Sequence, residues 1–153
     1  MSKATSSHAY GIGVIALIIG MSVSMVFYTS FYVPESLAKP SVSEHIFNPE
    51  IDFIIEIVPG AVIDGNENYV PNQSKVLLGI SNKVIWQNLD DTPHTVTPDH
   101  RTSDAYSGDF GSIGVIKPGE SFEFLFTDAQ EILYHCEPHP WMTGKISIDL
   151  SRF

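Results

Sequence analysis

Cys136 is the single cysteine among 153 residues, and Met142 is the single methionine outside the initiator and an apolar N-terminal run. Both fall in one seven-residue stretch, Cys136-Glu137-Pro138-His139-Pro140-Trp141-Met142. A lone cysteine makes no internal disulfide, and a free thiol outside a membrane is open to oxidation. Taken alone it reads as a buried, inert side chain. Its neighbours change that reading. Thiolate, imidazole and thioether form the soft donor set that selects copper, and two histidines, one cysteine and a long axial methionine make the blue-copper pattern. Zinc is the competitor, but a structural zinc site takes four Cys or His ligands and no methionine. The second histidine decides between them. His94, in Thr92-Pro93-His94-Thr95-Val96-Thr97, opens a strand that can lie beside the strand of Cys136. The candidate ligands are therefore His94, Cys136, His139 and Met142 around one copper, with the Pro93 carbonyl as a distant fifth contact.

The elements that must position these residues are short strands. Ile51–Ile57 partly alternates and is β-branched, ending at Pro59-Gly60. Val76–Ile80 and Lys83–Gln87 are apolar runs split by Ser81-Asn82, and His94–Thr97 is a brief strand bounded by prolines. Glu120–Thr127 follows the turn Lys117-Pro118-Gly119-Glu120, and Ile132–Cys136 and Lys145–Asp149 complete the set. No segment after residue 44 carries a helical apolar period. The pattern predicts an all-β domain over 44–153, an antiparallel Greek-key β-sandwich or barrel.

Tyr134-His135-Cys136-Glu137-Pro138-His139-Pro140-Trp141-Met142-Thr143-Gly144-Lys145 resembles the ligand loop of the amicyanins, with short C-x2-H-x2-M spacing. Val84-x-Trp86-x-Asn88-x-Asp90, His94-Thr95-Val96 and the Pro118-Gly119 turn are similar to the wider plastocyanin and amicyanin family. The resemblance covers Ile51 to Leu150. It implies a cupredoxin-like, eight-stranded Greek-key sandwich and a type 1 copper centre that carries single electrons between redox partner proteins. One residue departs from the family. Asn normally follows the first histidine ligand and braces the ligand loop, whereas Thr95 stands here, so its hydroxyl must substitute and the surroundings of the metal differ. Residues 44–51 match no part of that pattern.

Other residues bear on the alternatives. His135 precedes Cys136 and by strand alternation points away from copper. In copper nitrite reductases and multicopper oxidases a histidine at this place binds a second copper, but His45 and His100 form no pair that would complete such a site. These two and His8 read as solvated. The two-copper centre of oxidase subunits needs two cysteines and is excluded. Pro138 and Pro140 each remove an N–H and stiffen the loop around His139. Trp141 serves either as a core cap or as part of an apolar docking face.

Gly11 to Val33 is 23 residues without a charged side chain. At about 1.5 Å per residue it spans about 34 Å, enough for a hydrocarbon core. A cleaved signal peptide ending at Ser36-Leu37-Ala38 is the rival, but its apolar region would be shorter. The layout is therefore 1–10 cytoplasmic, 11–33 transmembrane signal-anchor helix, 34–43 Pro/Ser linker and 44–153 copper domain on the extracytoplasmic side of the cell membrane, with Lys3 inside. Without Lys3 the chain carries seven basic and eighteen acidic residues, net −11. That charge excludes nucleic acid as a partner and favours either a basic docking surface or plain solubility. Asn72-Gln73-Ser74 is a lone glycosylation sequon. Two rival functions carry their own signatures: an open-site copper enzyme, if Met142 does not bind, and a copper-binding subunit of a larger membrane oxidase.

Overall fold

The computed structural model describes residues 7–36 and 42–151. Lys3 and the Leu37-Ala38 part of the small-x-small sequence lie outside them. The chain divides into two compact units, Met1–Lys39 and Pro40–Phe153.

The first unit is helical: α1 (Ser7–Phe27), a π-helical turn (Tyr28–Tyr32) and α2 (Val33–Ser36). From Tyr10 to Ser36 it is long and apolar enough to cross a membrane. Two of its hydroxyls bond within the helix, Ser22 donating to the Ile18 carbonyl at 2.8 Å and Thr29 to that of Met25 at 3.0 Å. The sequence ends this helix before Pro34, yet it continues to Ser36. The π-helical turn widens the coil just ahead of the ring that would otherwise clash with the carbonyl four residues back.

Among the described residues of the second unit a single helical turn, α3 (Glu44–Phe47), is followed by ten strands. One sheet has the order β2 (Tyr69–Val70), β1 (Asp52–Ile57), β4 (Lys83–Asn88), β8 (Ser121–Leu125). The facing sheet has the order β3 (Gln73–Leu77), β10 (His139–Asp149), β9 (Gln130–Cys136), β5 (Thr97–Pro98). A small ribbon joins β6 (Ser103–Asp104) to β7 (Gly108–Asp109). The pairing is not antiparallel throughout as predicted: β1 runs parallel to β4, and β3 parallel to β10. Parallel neighbours need a long crossover. The path from β1 to β4 supplies one by passing through β3 in the other sheet.

Alternation decides which faces are buried. Val84, Trp86 and Asn88 of β4 point inward, as do Ile132, Tyr134 and Cys136 of β9. Trp86 is fully buried, edge-on to Tyr134 with ring centroids 5.7 Å apart, and Tyr134 meets Tyr69 at 5.0 Å. Burying an indole of this kind contributes about 4 kcal/mol by area. Gly144 lies opposite Tyr134 in the β9–β10 register, and any Cβ there would collide with the tyrosine ring.

The end of the sandwich remote from Cys136 is closed by Asn82. Its buried amide donates to the carbonyls of Phe126 at 2.6 Å and Ile46 at 2.9 Å, and its oxygen accepts the Gly79 N–H at 2.7 Å. Residues 44–48, which the family pattern did not account for, thus cap that end. His45 is exposed, as expected, and its ring also lies against Gly79, where no Cβ would fit.

Candidate metal centre

Cys136 ends β9, and its inward position in the alternation leaves it fully buried. His139 begins β10 and faces Cys136 across the turn. A regular strand would send His139 and Met142, three residues apart, to opposite faces. The pairing with β9 is irregular between His139 and Thr143. That bulge lets His139 turn toward Cys136 while Met142 enters the same buried cluster as Cys136, fully shielded from solvent. His94 arrives from the loop before β5. It is not in a strand as predicted but is held by one bridge, its N–H to the Ile116 carbonyl at 3.1 Å and the Ile116 N–H back at 2.7 Å.

The donor atoms converge. One atom each from His94, Cys136 and His139 lies within 4.8 Å of the others. Cys136 Sγ is 3.4 Å from His139 Nδ1 and 3.7 Å from His94 Nδ1, and the two Nδ1 atoms are 3.2 Å apart. His94 is fully buried and His139 half-buried. No carboxylate belongs to this group. A thiol and two imidazoles, with Met142 buried in the same core, suit copper better than a hard cation.

Electrostatics favour the ligating form of the sulfur. Burial pushes the Cys136 thiol up, but the His94 ring and the Thr95 N–H and hydroxyl outweigh it, and the net direction is down. Thiolate is the form that binds metal. Burial pulls His94 down, yet Cys136 and Asp90 together hold it above its ordinary value. Burial, then repulsion from His94, holds His139 below its own. Asp90 Oδ2 lies 2.8 Å from His94 Nε2. Sequence reasoning noticed Asp90 only as part of a motif. Its position four residues before His94, in a turn, was the available signal.

Thr95 occupies the bracing position. Its hydroxyl accepts the Glu137 N–H at 2.8 Å, tying the His94 loop to the loop after Cys136. Its own N–H points at Cys136 Sγ at 3.3 Å, while the hydroxyl proton has Thr97 Oγ1 nearer, at 3.1 Å, than the sulfur at 3.9 Å. The backbone carbonyl of Thr95 in turn accepts the buried Tyr69 hydroxyl at 2.5 Å. His135 faces away, its Nδ1 2.6 Å from Asp99 Oδ1 on the neighbouring strand edge. Trp141 is 39% exposed and its ring lies 5.4 Å from that of His139. It therefore stands at the surface beside the histidine and does not cap the core.

The family of copper binding proteins described as the plastocyanin/azurin family matches residues 61–149, more than half of the chain. The chain belongs to that family. A curated relative is the amicyanin of Paracoccus denitrificans, 24% identical over 94 residues, which are 61% of this chain and 70% of that protein. Among solved structures, a purple cupredoxin from Nitrosopumilus maritimus superimposes with a TM-score of 0.51 at 25% identity, covering 63% of this chain and 99% of the other. The domain is thus a cupredoxin in fold and carries one copper, the metal that both the family and the donor cluster call for. Thr95, where the family pattern has Asn, is the departure beside this site.

Proposed function

We propose that His94, Cys136, His139 and Met142 bind the copper, and that the protein is a one-electron carrier. In this reading residues 11–33 anchor it in the cell membrane, 34–43 form a linker, and the copper domain of 44–153 works on the extracytoplasmic side. The observation that carries the proposal is the convergence of Sγ and two Nδ1 atoms, buried on one side and reaching solvent only through His139. Copper held there supplies a single-electron Cu(II)/Cu(I) couple. The chain's residues do the rest. The Thr95–Glu137 bond and the Pro138 and Pro140 rings restrain the loop, so the donors need little rearrangement between oxidation states. Burial of Cys136, His94 and Met142 keeps bulk water from that side of the donors. Exposed Pro138, Pro140 and Trp141 surround His139 with apolar surface, which suits a transient redox contact. The net −11 outside the anchor favours a basic partner and speeds encounter.

Spectroelectrochemistry of the copper-loaded full chain in detergent tests this reading. A reversible wave with n of one is expected, and Met142→Leu should keep the thiolate band while raising the potential, because a weak donor to Cu(II) is lost. Unchanged potential would mean that Met142 does not bind. Stopped-flow oxidation by a basic c-type cytochrome tests the contact surface. Trp141→Ala should slow transfer without altering the spectrum, and added salt should slow association. Equal rates for parent and variant would move the docking face elsewhere.

A further inference from the structure

Behind His94, on the side away from Cys136, lies a carboxylate closed off from solvent. The Asp90 side chain is 2% exposed and that of His94 0%. Asp90 Oδ1 accepts the N–H groups of Gly60 at 2.9 Å and Asp91 at 3.0 Å. Backbone N–H groups donate and never accept, so Oδ1 has no use for a proton. Oδ2 faces His94 Nε2 at 2.8 Å. The hydrogen between them belongs on the ring, and Nδ1 is left as the bare donor, pointing toward Cys136 Sγ and His139 Nδ1.

Neither partner is free to move. Asn88 Oδ1 accepts the Asp90 N–H at 3.0 Å, and its amide donates to the carbonyls of Thr92 and Ile116, each at 2.9 Å. Both main-chain groups of His94 are bonded to Ile116. The turn from residue 88 to 94 is therefore a bracket that fixes a negative charge against one face of an imidazole whose other face looks into the metal centre.

We propose that Asp90 is a positioning residue of the copper centre: it fixes the His94 tautomer by holding Nε2–H, and its charge, passed through the imidazole, favours Cu(II) over Cu(I) and lowers the reduction potential. The inference rests on His94 being a copper ligand. Its physical basis is general, since a carboxylate that receives the second N–H of a ligating histidine raises the basicity of the other nitrogen, and losing it typically weakens metal binding by about 10–100-fold.

Asp90→Asn in the full chain removes the charge and one of the two acceptor oxygens, so the amide oxygen serves either His94 Nε2–H or the Gly60 and Asp91 N–H groups. The expected result is a retained thiolate-to-copper band and a ratio of Cu(II) to Cu(I) affinity about tenfold lower. For a one-electron couple that is an upward shift of about 59 mV. A purely structural role for Asp90 would lower thermal stability and leave the potential where it was. In the parent loaded with Cu(I), ¹⁵N-resolved proton spectra should show a downfield, slowly exchanging proton on His94 Nε2. That measurement needs no variant and decides the matter even if Asp90→Asn fails to fold. A proton found on Nδ1, or an unchanged potential with the band intact, overturns the role of Asp90. A parent chain that gives no thiolate band at all overturns the copper-centre reading beneath it.

Discussion

Asp104 and Asp90 are both carboxylates buried in the sandwich and both bonded by backbone N–H groups, yet they end in different places. Asp104 Oδ1 accepts the N–H groups of Tyr106 at 3.0 Å and Ser107 at 2.9 Å and the Thr127 hydroxyl at 2.7 Å. Its Oδ2 takes the N–H of Thr127 at 2.5 Å and of Asp128 at 3.2 Å, and Asp128 returns a bond to the Ala105 N–H at 2.8 Å. All of these partners are terminal donors, so the charge does nothing beyond pinning the loop of β6 and β7 to the end of β8. Asp90 has fewer partners, but one is an imidazole with a second nitrogen facing Cys136 and His139. A buried carboxylate serves the fold or the site according to whether its partner has another end.

Breaking Asp104 should give the largest change in stability and none in redox behaviour. Asp104→Ala leaves several buried donors unpaired and should cost about 3 kcal/mol in chemical denaturation, with the potential of any folded protein unchanged. A shifted potential would erase the distinction between the two acids. The same residue predicts an acid limb. Burial raises the Asp104 carboxyl, but the N–H groups of Ser107 and Thr127 and the Thr127 hydroxyl outweigh it and hold it below its ordinary value. Its contribution is therefore complete above the unfolded-state value of about 3.9 and is lost as pH falls through the lower folded value. Denaturation midpoints between about pH 5 and 2 should show that loss in the parent and a flatter profile in Asp104→Ala.

Thr95 sharpens the comparison on the copper side with a smaller effect. Thr95→Val strands the Glu137 N–H and should cost about 1–2 kcal/mol while broadening the copper EPR signal, whereas Thr95→Ser should restore both. An undisturbed Thr95→Val would mean that the hydroxyl does not brace the loop. The smallest effect belongs to an exposed acid. Asp149 pairs with Lys75 at 2.7 Å, but both side chains are about half exposed or more, so Asp149→Asn should change stability by about 0.5 kcal/mol or less.

Much of the centre was legible because soft donors are rare in this chain. A single Cys and a single nearby Met, with histidines on either side, admit few chemistries, and the C-x2-H-x2-M spacing carried the family. What escaped had no local signature. Tyr69–Val70, Ser103–Asp104 and Gly108–Asp109 are strands of two residues, too short to alternate. Val76–Ile80 was expected as a strand, yet β3 covers Gln73–Leu77, because Gly79 has φ +79 and turns the chain into the Asn82 cap. The parallel pairs follow from crossovers between sheets, which no window of sequence contains. Asp90 is the instructive case. Its type and spacing were visible, but burial against His94 Nε2 depends on the Gly60 loop, thirty residues earlier, supplying an N–H.

The central claim is that Cys136 Sγ binds copper together with His94 and His139. Absorption and EPR spectra of the full chain loaded with one equivalent of Cu(II) in detergent test it directly. The account predicts an intense thiolate-to-copper band in the visible and a small parallel hyperfine splitting, both lost in Cys136→Ser. A colourless parent with a wide hyperfine splitting, or a band that survives Cys136→Ser, would contradict it.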